Sequence, residues 1–256
     1  MDFANKTILL TGASSGIGKE IAKKLALLDC TLILTARRAD SIKEFLDQMS
    51  NKRAEIHVFK CDVSDKEQVA QTMKDISAAG NIIDTAILNA GVGHLVTVEE
   101  FNSQAAEESF GVNTMGIIYW VEQLLPGFIE RRNGIIAGVS SLADNRGFAG
   151  SEFYCASKAA ATIFLEGLRL QLKKYGVKVL TIKPGFVKTP MTDKNGHPMP
   201  FLMSAEKAAG IILEGIEKEK RIIQFPFITA ALTRLVGMLP AGLYDSLSGG
   251  LGAKEK

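Results

Sequence analysis

The sequence predicts an α/β fold, a single doubly wound parallel sheet of about seven strands with helices on both faces. Three observations predict it. Short β-rich apolar runs alternate with longer amphipathic stretches along the chain. Most of these runs are apolar throughout, as strands covered by helices on both faces must be. A glycine cluster also stands at the first strand-to-helix junction. Such repetition gives parallel pairing through right-handed crossovers and gathers the strand C-terminal ends along one ligand-binding edge.

Taken in order, the strands read TILLTG (7–12), TLILTA (31–36), EIHVFK (55–60), TAILNA (85–90), GIIAGVS (134–140), VKVLTIK (177–183) and RIIQF (221–225). Helices are expected near 17–28, 40–49, 65–79, 103–130, 153–174 and 204–219, the last preceded by Ser204. At 256 residues the chain suits one large domain that buries most of its apolar surface. Neither a linker nor an internal repeat divides it.

Composition excludes several classes of function. The formal net charge is +2, and no dense Lys/Arg stripe with interleaved aromatics stands out, so nucleic acid is not an expected partner. Cys30, Cys61 and Cys155 are scattered, without a CxxC pair. That pattern fits a reducing compartment and argues against a disulfide framework or a metal site. The first residues do not read as a secretory signal. No stretch approaches the ~20 apolar residues of a membrane span. A cytoplasmic protein is expected.

The first strand ends in TGASSGIG, residues 11–18. Gly12 permits the tight exit from the strand, Gly16 lets backbone approach a diphosphate, and Gly18 lets helix and sheet pack closely. The N–H groups that open the helix and the positive end of its dipole suit phosphate charge. Ser14, Ser15 and Ile17 complete this turn, which sits in the context that a dinucleotide site requires. At the end of the second strand an acid would ordinarily hold the adenosine ribose. Here the chain reads Ala36, Arg37, Arg38. An arginine can pair with a 2′-phosphate through charge-assisted bonds worth roughly 1.5–3 kcal/mol each. NADP(H) is therefore favoured over NAD(H), with Arg37 the leading contact and Arg38 its neighbour. After the third strand, Asp62 is placed to accept from the adenine amino group and Val63 to touch the ring, while Asp65 reads equally as a helix cap. After the fourth, Asn89, Ala90 and Gly91 put small residues where a cofactor would pass.

Tyr154 and Lys158 stand four residues apart on one helix and share a face. A free tyrosine has a pKa of ~10, and lowering it by ~3 units needs about 4 kcal/mol of preferential phenolate stabilisation. A nearby ammonium together with an oxidised nicotinamide ring could supply much of this. In the reverse direction the phenol donates a proton to a carbonyl oxygen that receives hydride. Ser140 and Ser141 end the fifth strand, and a hydroxyl there could hold a substrate oxygen. Asn113 could reach Lys158 through a water.

The chain resembles the short-chain dehydrogenase/reductase family over essentially residues 5 to 225. The resemblance is carried by TGASSGIG at the first turn, NAG at 89–91, Asn113, Ser141, YCASK at 154–158 and PGFVKT at 184–189. It implies a single-domain Rossmann fold with Tyr154 as acid/base and Lys158 lowering its pKa and binding the nicotinamide ribose. Ser141 would orient the substrate oxygen and Asn113 would hold a proton-relay water. Pro184, Gly185, Val187 and Thr189 would contact the nicotinamide end. The thirteen-residue spacing to Tyr154 selects Ser141 over Ser140. Leu88 departs from the family, which often has another asparagine there. The resemblance also implies a homodimer or homotetramer and reduction as the working direction.

Residues 189–204, rich in Pro, Gly and Met, read as a lid over the substrate. With Phe148, the lid residues Met199, Phe201, Leu202 and Met203 suggest an apolar carbonyl compound or alcohol. His94 is expected in a solvated loop. The extension 226–256 follows the main domain 1–225, and between 225 and 247 its only charges are Arg234 and Asp245. Packing on the body or on a partner subunit is favoured for it over contact with a membrane surface, because it lacks a basic polar face. Two other functions compete. A dinucleotide-binding sensor predicts a damaged catalytic set, whereas all four positions are filled. Epimerase-like use of the cofactor is disfavoured by the short chain.

Overall fold

The computed structural model describes residues 2–194 and 198–248. Residues 195–197 of the expected lid and 249–256 of the C-terminal extension lie outside the described residues.

Seven parallel strands form one sheet in the order β3-β2-β1-β4-β5-β6-β9. They are β1 (Thr7–Thr11), β2 (Thr31–Ala36), β3 (Glu55–Lys60), β4 (Thr85–Leu88), β5 (Gly134–Val139), β6 (Val177–Pro184) and β9 (Ile222–Phe225). The first three strands run outward to one edge, then the chain crosses back to place β4 beside β1. That reversal creates the crevice between the C-terminal ends of β1 and β4 where open α/β sheets bind ligands.

Strand sequence explains the two-sided cover. In β1, Ile8 and Leu10 join one apolar cluster while Leu9 joins the other; in β2, Leu32 and Leu34 oppose Ile33 in the same way. A strand with two buried faces has no polar side to show. One cluster is covered by α1 (Gly16–Leu25), α2 (Ala39–Asp47) and α7 (Ala205–Glu217), the other by α3 (Lys66–Ala78), α5 (Gly116–Arg131) and α6 (Glu152–Leu172). Asp65 caps α3, accepting from Glu67 N at 2.9 Å and Gln68 N at 3.0 Å. Ser204 caps α7 through Lys207 N at 3.2 Å.

Three features differ from the sequence expectation. The single helix foreseen over 103–130 is α4 (Ser103–Phe110) and α5 joined by a π-helical turn, Gly111–Met115. The base of the expected lid is a small parallel pair, β7 (Val187–Lys188) with β8 (Met203–Ser204). The C-terminal extension folds into α8 (Phe227–Gly237) and α9 (Ala241–Ser248). Helix α8 turns Ala230 inward and leaves Phe227, Ile228, Leu232, Leu235 and Met238 exposed. No helix among the described residues is long and apolar enough to cross a membrane.

Candidate active site

The glycine turn is shaped by positions that no side chain could share. Gly12 has φ +68°, and a Cβ there would lie 2.7 Å from Ala90 Cα; at Gly18 it would lie 2.2 Å from Gly12 O. Gly16, at φ +55°, faces Thr189. Ser15 precedes α1 without a capping hydrogen bond, and the first turn of α1 carries no acid. A helix N-terminus left with free donors and positive dipole charge, beneath a cradle that a Cβ would fill, fits a diphosphate.

The NAG segment is tied directly to this turn. Asn89 donates from Nδ2 to Thr11 O at 3.1 Å and to Gly12 O at 3.3 Å. The backbone N–H groups of Asn89 and Ala90 both donate to Thr11 Oγ1, at 3.0 and 3.1 Å. Thr11 was not singled out from sequence, although its hydroxyl clamps the two strand ends that bound the crevice.

At the end of β2 the two arginines take different positions. Arg38 reaches back so that its Nη2 lies 3.5 Å from Ser15 Oγ of the turn. Arg37 is 62% exposed and its Nη1 lies 3.8 Å from Asp62 Oδ2. Asp62 is partly engaged elsewhere, accepting on Oδ1 from Ser64 N at 3.0 Å and Ser64 Oγ at 2.7 Å. Val63 is buried and packs against Gly116.

The chemical residues converge at the ends of β4, β5 and β6. Ser141 is buried and hydrogen-bonds the Tyr154 phenol, which favours the ionised form, yet burial is the larger effect and pushes the Tyr154 pKa up. Tyr154 is half-buried. Lys158 is 3% exposed, donates to Val139 O at 2.9 Å, and has its Nζ 5.9 Å from the Tyr154 ring centre. Burial lowers its pKa to about 8, partly opposed by the Asp144 carboxylate. In the protein alone, desolvation holds Tyr154 above its ordinary value.

Asn113 lies in the π-helical turn, a distortion that often marks functional positions. It is fully buried and embraces the chain after β4, accepting from Val92 N and donating to Val92 O, both at 2.9 Å. Its Nδ2 also donates to Ser157 Oγ at 3.0 Å. Gly91 is held between them: a Cβ there would meet Asn113 Oδ1 at 3.2 Å and Lys158 Nζ at 3.3 Å. Ser157 was not identified from sequence, though it lies one residue before Lys158 and was spelled out in YCASK.

Ser140 faces away from the crevice. Its hydroxyl donates to Lys158 O at 2.8 Å and meets Thr162 Oγ1 at 2.7 Å, so it braces α6 rather than a substrate. Thr162 in turn donates to Asp144 Oδ2 at 2.5 Å, and Lys183 Nζ lies 2.8 Å from the same oxygen. Sequence reading missed this buried ion pair. A signal was present, because Lys183 interrupts the apolar run of β6 and Asp144 follows Ser141 after two apolar residues.

Beyond β6, Pro184 ends the strand and Gly185 donates its N–H to Phe225 O at 2.7 Å. Val187 is buried. Thr189 N donates to Thr192 Oγ1 at 2.9 Å, folding the start of the lid over the glycine turn. Met191 contacts Gly93 beside Tyr154. Phe148, Phe201 and Leu202 are exposed, and Met203 packs on the core. His94 is half-buried, with Nε2 3.0 Å from Glu108 Oε2, beside a cavity of about 260 Å³. Cys155 is a buried free thiol whose pKa burial pushes up, and it takes no part in this constellation.

The family model of the short chain dehydrogenases matches residues 6–199. The chain belongs to the short-chain dehydrogenase/reductase family. Within it, an uncharacterized oxidoreductase of Myxococcus xanthus is 33% identical over 245 residues, covering 96% of this chain and 97% of that one. An NADP-dependent 3-hydroxy acid dehydrogenase of Schizosaccharomyces pombe is 32% identical over 196 residues, 75% of each chain. The fold matches the crystal structure of a short-chain dehydrogenase/reductase from Burkholderia phymatum in complex with NAD, with TM-score 0.82 and 24% identity, covering 100% of this chain and 98% of that one. The short-chain dehydrogenase/reductases are oxidoreductases, and the crevice between β1 and β4 is where this chain would hold a nicotinamide dinucleotide.

Proposed function

We propose that this protein is an NADP(H)-dependent oxidoreductase that interconverts a carbonyl compound and its alcohol, with Tyr154 as the acid/base. The observation that carries the reading is the convergence of Ser141, Tyr154 and Lys158 at one buried point beside Gly91 and the lid. A bound nicotinamide dinucleotide supplies the hydride in reduction and accepts it in oxidation.

In reduction the elevated pKa of Tyr154 keeps the phenol protonated, so it can give its proton to the substrate oxygen as charge develops there. The Ser141 hydroxyl, with a single proton to donate, holds that oxygen as charge develops on it. Lys158 contributes a positive charge beneath the Tyr154 ring and can hydrogen-bond the nicotinamide ribose. In oxidation the same groups act in reverse, and the positive nicotinamide ring adds the cation needed to bring Tyr154 into the range of a base. Asn113 pins Val92 to α6, and the remaining lone pair of Oδ1 is left for a relay water.

Arg37 and Arg38 support the choice of NADP(H). Arg38 already lies over the phosphate turn, and the long, exposed pairing of Arg37 with Asp62 is weak enough to yield to a 2′-phosphate. The related yeast dehydrogenase is named for the same cofactor. Phe148 and the lid support an apolar substrate. Ile163 and Leu170, exposed seven residues apart on α6, support assembly as a homodimer or homotetramer. Three buried free thiols suit a reducing cytoplasm.

The test is an NADPH-oxidation screen over ketones, aldehydes, 3-oxoacyl thioesters and steroids, followed by Tyr154→Phe on the best substrate. The substitution should lower kcat by about 10²–10⁴-fold, the usual contribution of a proton donor, with NADPH affinity retained. A Tyr154→Phe variant with normal kcat would refute the assignment.

A further inference from the structure

We propose that Arg146 is a positioning residue: it clamps α8 and α9 onto the loop that joins Ser141 to Tyr154, making the C-terminal segment part of the substrate side of the site. The proposal rests on the oxidoreductase reading for its kinetic consequence, but its geometry stands independently.

Loop 142–151 connects two residues that must keep their hydroxyls in hydrogen-bonding register. Much of it is poorly anchored by its own sequence. It contains Gly147 and Gly150, and Asn145, Phe148 and Ala149 are exposed. One flank is tied to the chain after β4 by Val96 N donating to Gly150 O at 2.9 Å. The opposite flank is tied to the C-terminal helices. Arg146 donates from Nε to Val236 O at 3.4 Å and from Nη2 to Leu239 O. Its guanidinium lies 5.0 Å from the Tyr244 ring centre, and Tyr244 Oη donates to Gly147 O at 2.5 Å. Gly237 abuts Asn145, where a Cβ would come within 3.3 Å of the asparagine Cβ.

Val236 belongs to the last turn of α8 and Leu239 lies just beyond it. Val236 O also accepts from Leu239 N at 3.2 Å, and it lies at the negative end of the α8 dipole, where a cation is favoured. Arginine suits the place because its planar fork can serve two carbonyls while its face stacks on Tyr244; a lysine is a point donor and cannot do both. Cations of α8 itself do not substitute, since Arg234 is its single charge. The clamp therefore joins residues ninety or more positions apart, and it touches none of β1, β2 or the glycine turn.

The consequence is a division between substrate and cofactor. Loosening the clamp should disturb the loop bearing Phe148 and the register of Ser141 with Tyr154, while the dinucleotide crevice stays intact. The experiment compares full-length wild type, Arg146→Ala, Arg146→Lys and Tyr244→Phe. It measures hydrogen exchange of peptides within 142–151, NADPH dissociation constants, and kcat and KM for the best substrate of the screen. In Arg146→Ala, exchange over 142–151 should accelerate about tenfold or more, as for a local opening that has lost its anchors. KM for the carbonyl substrate should rise severalfold with the NADPH constant within twofold, and Arg146→Lys should recover only part of the loss. Tyr244→Phe removes one hydroxyl and reads the same loop even if Arg146→Ala does not fold. Unchanged exchange over 142–151, full rescue by lysine, or equal weakening of NADPH and substrate would each overturn the proposal. Failure of the oxidoreductase reading would show separately, as turnover that survives Tyr154→Phe, and leaves the exchange result to decide the clamp.

Discussion

Replacing Lys183 by methionine removes one half of an ion pair whose Asp144 side chain has no exposed surface and whose lysine is 13% exposed. At 2.8 Å and an effective dielectric of about 20, the attraction is roughly 6 kcal/mol. Desolvating two ions costs about several kcal/mol each, so the intact pair contributes little net stability. Breaking it differs from replacing it. Lys183→Met leaves a buried carboxylate with only Thr162 as a donor, while its Oδ1 already has no partner. The loss should be about 3–5 kcal/mol, the usual cost of an uncompensated buried charge. Asp144→Asn should also destabilise, because Lys183 then lacks its anion. The double variant should be more stable than the sum of the single losses predicts, by about 2–3 kcal/mol, since contacting charges couple strongly. Urea unfolding followed by circular dichroism, with m-values checked for equality, measures all four corners of the cycle. Losses that add to within about 0.5 kcal/mol would refute the reasoning, because independent sites behave that way.

Two further outcomes follow from the site. Lys158 has a folded pKa of about 8 against an ordinary 10.5, so between those values the unfolded chain holds a proton that the folded chain has released. Stability should therefore rise with pH across that window, by about 3 kcal/mol at ~1.36 kcal/mol per pH unit. Lys158→Met should lack this rise, and parallel stability curves for the two proteins would contradict the assigned burial cost. For the cofactor, Arg37→Asp should weaken NADPH by about ten- to a hundred-fold while NADH changes far less, and Arg38→Ala should act in the same direction. Equal losses for both dinucleotides, measured by fluorescence titration, would remove the 2′-phosphate argument.

The fold was legible because each strand is either an unbroken apolar run or ends at a glycine or charged turn. Asn113 could be picked out, but its π-helical turn could not, since the apolar pattern runs through 103–130 without a break. The β7–β8 pair spans two residues on each side, too short to leave a period. Ser140 and Ser141 are adjacent in the chain yet serve different partners, because successive residues at a strand end point to opposite faces. What stayed hidden has its cause in distance along the chain. Lys183 in the apolar run of β6 and Asp144 after Ser141 each stand out locally, but nothing in either stretch says that they meet, and Arg146 meets α8 from the far end of the sequence. Burial raises the Tyr154 pKa and lowers that of Lys158, an effect of tertiary surroundings that no local stretch displays.

Tyr154 and its neighbours are proposed to manage a hydride transfer between nicotinamide and a carbonyl carbon. The most direct test is the reduction of the best screened carbonyl substrate with NADPH carrying deuterium at both C4 positions, analysing the product by mass spectrometry. The product should be an alcohol with one deuterium on the former carbonyl carbon, accompanied by one oxidised cofactor per product molecule. A product without deuterium, or turnover that leaves the cofactor unconsumed, would contradict it.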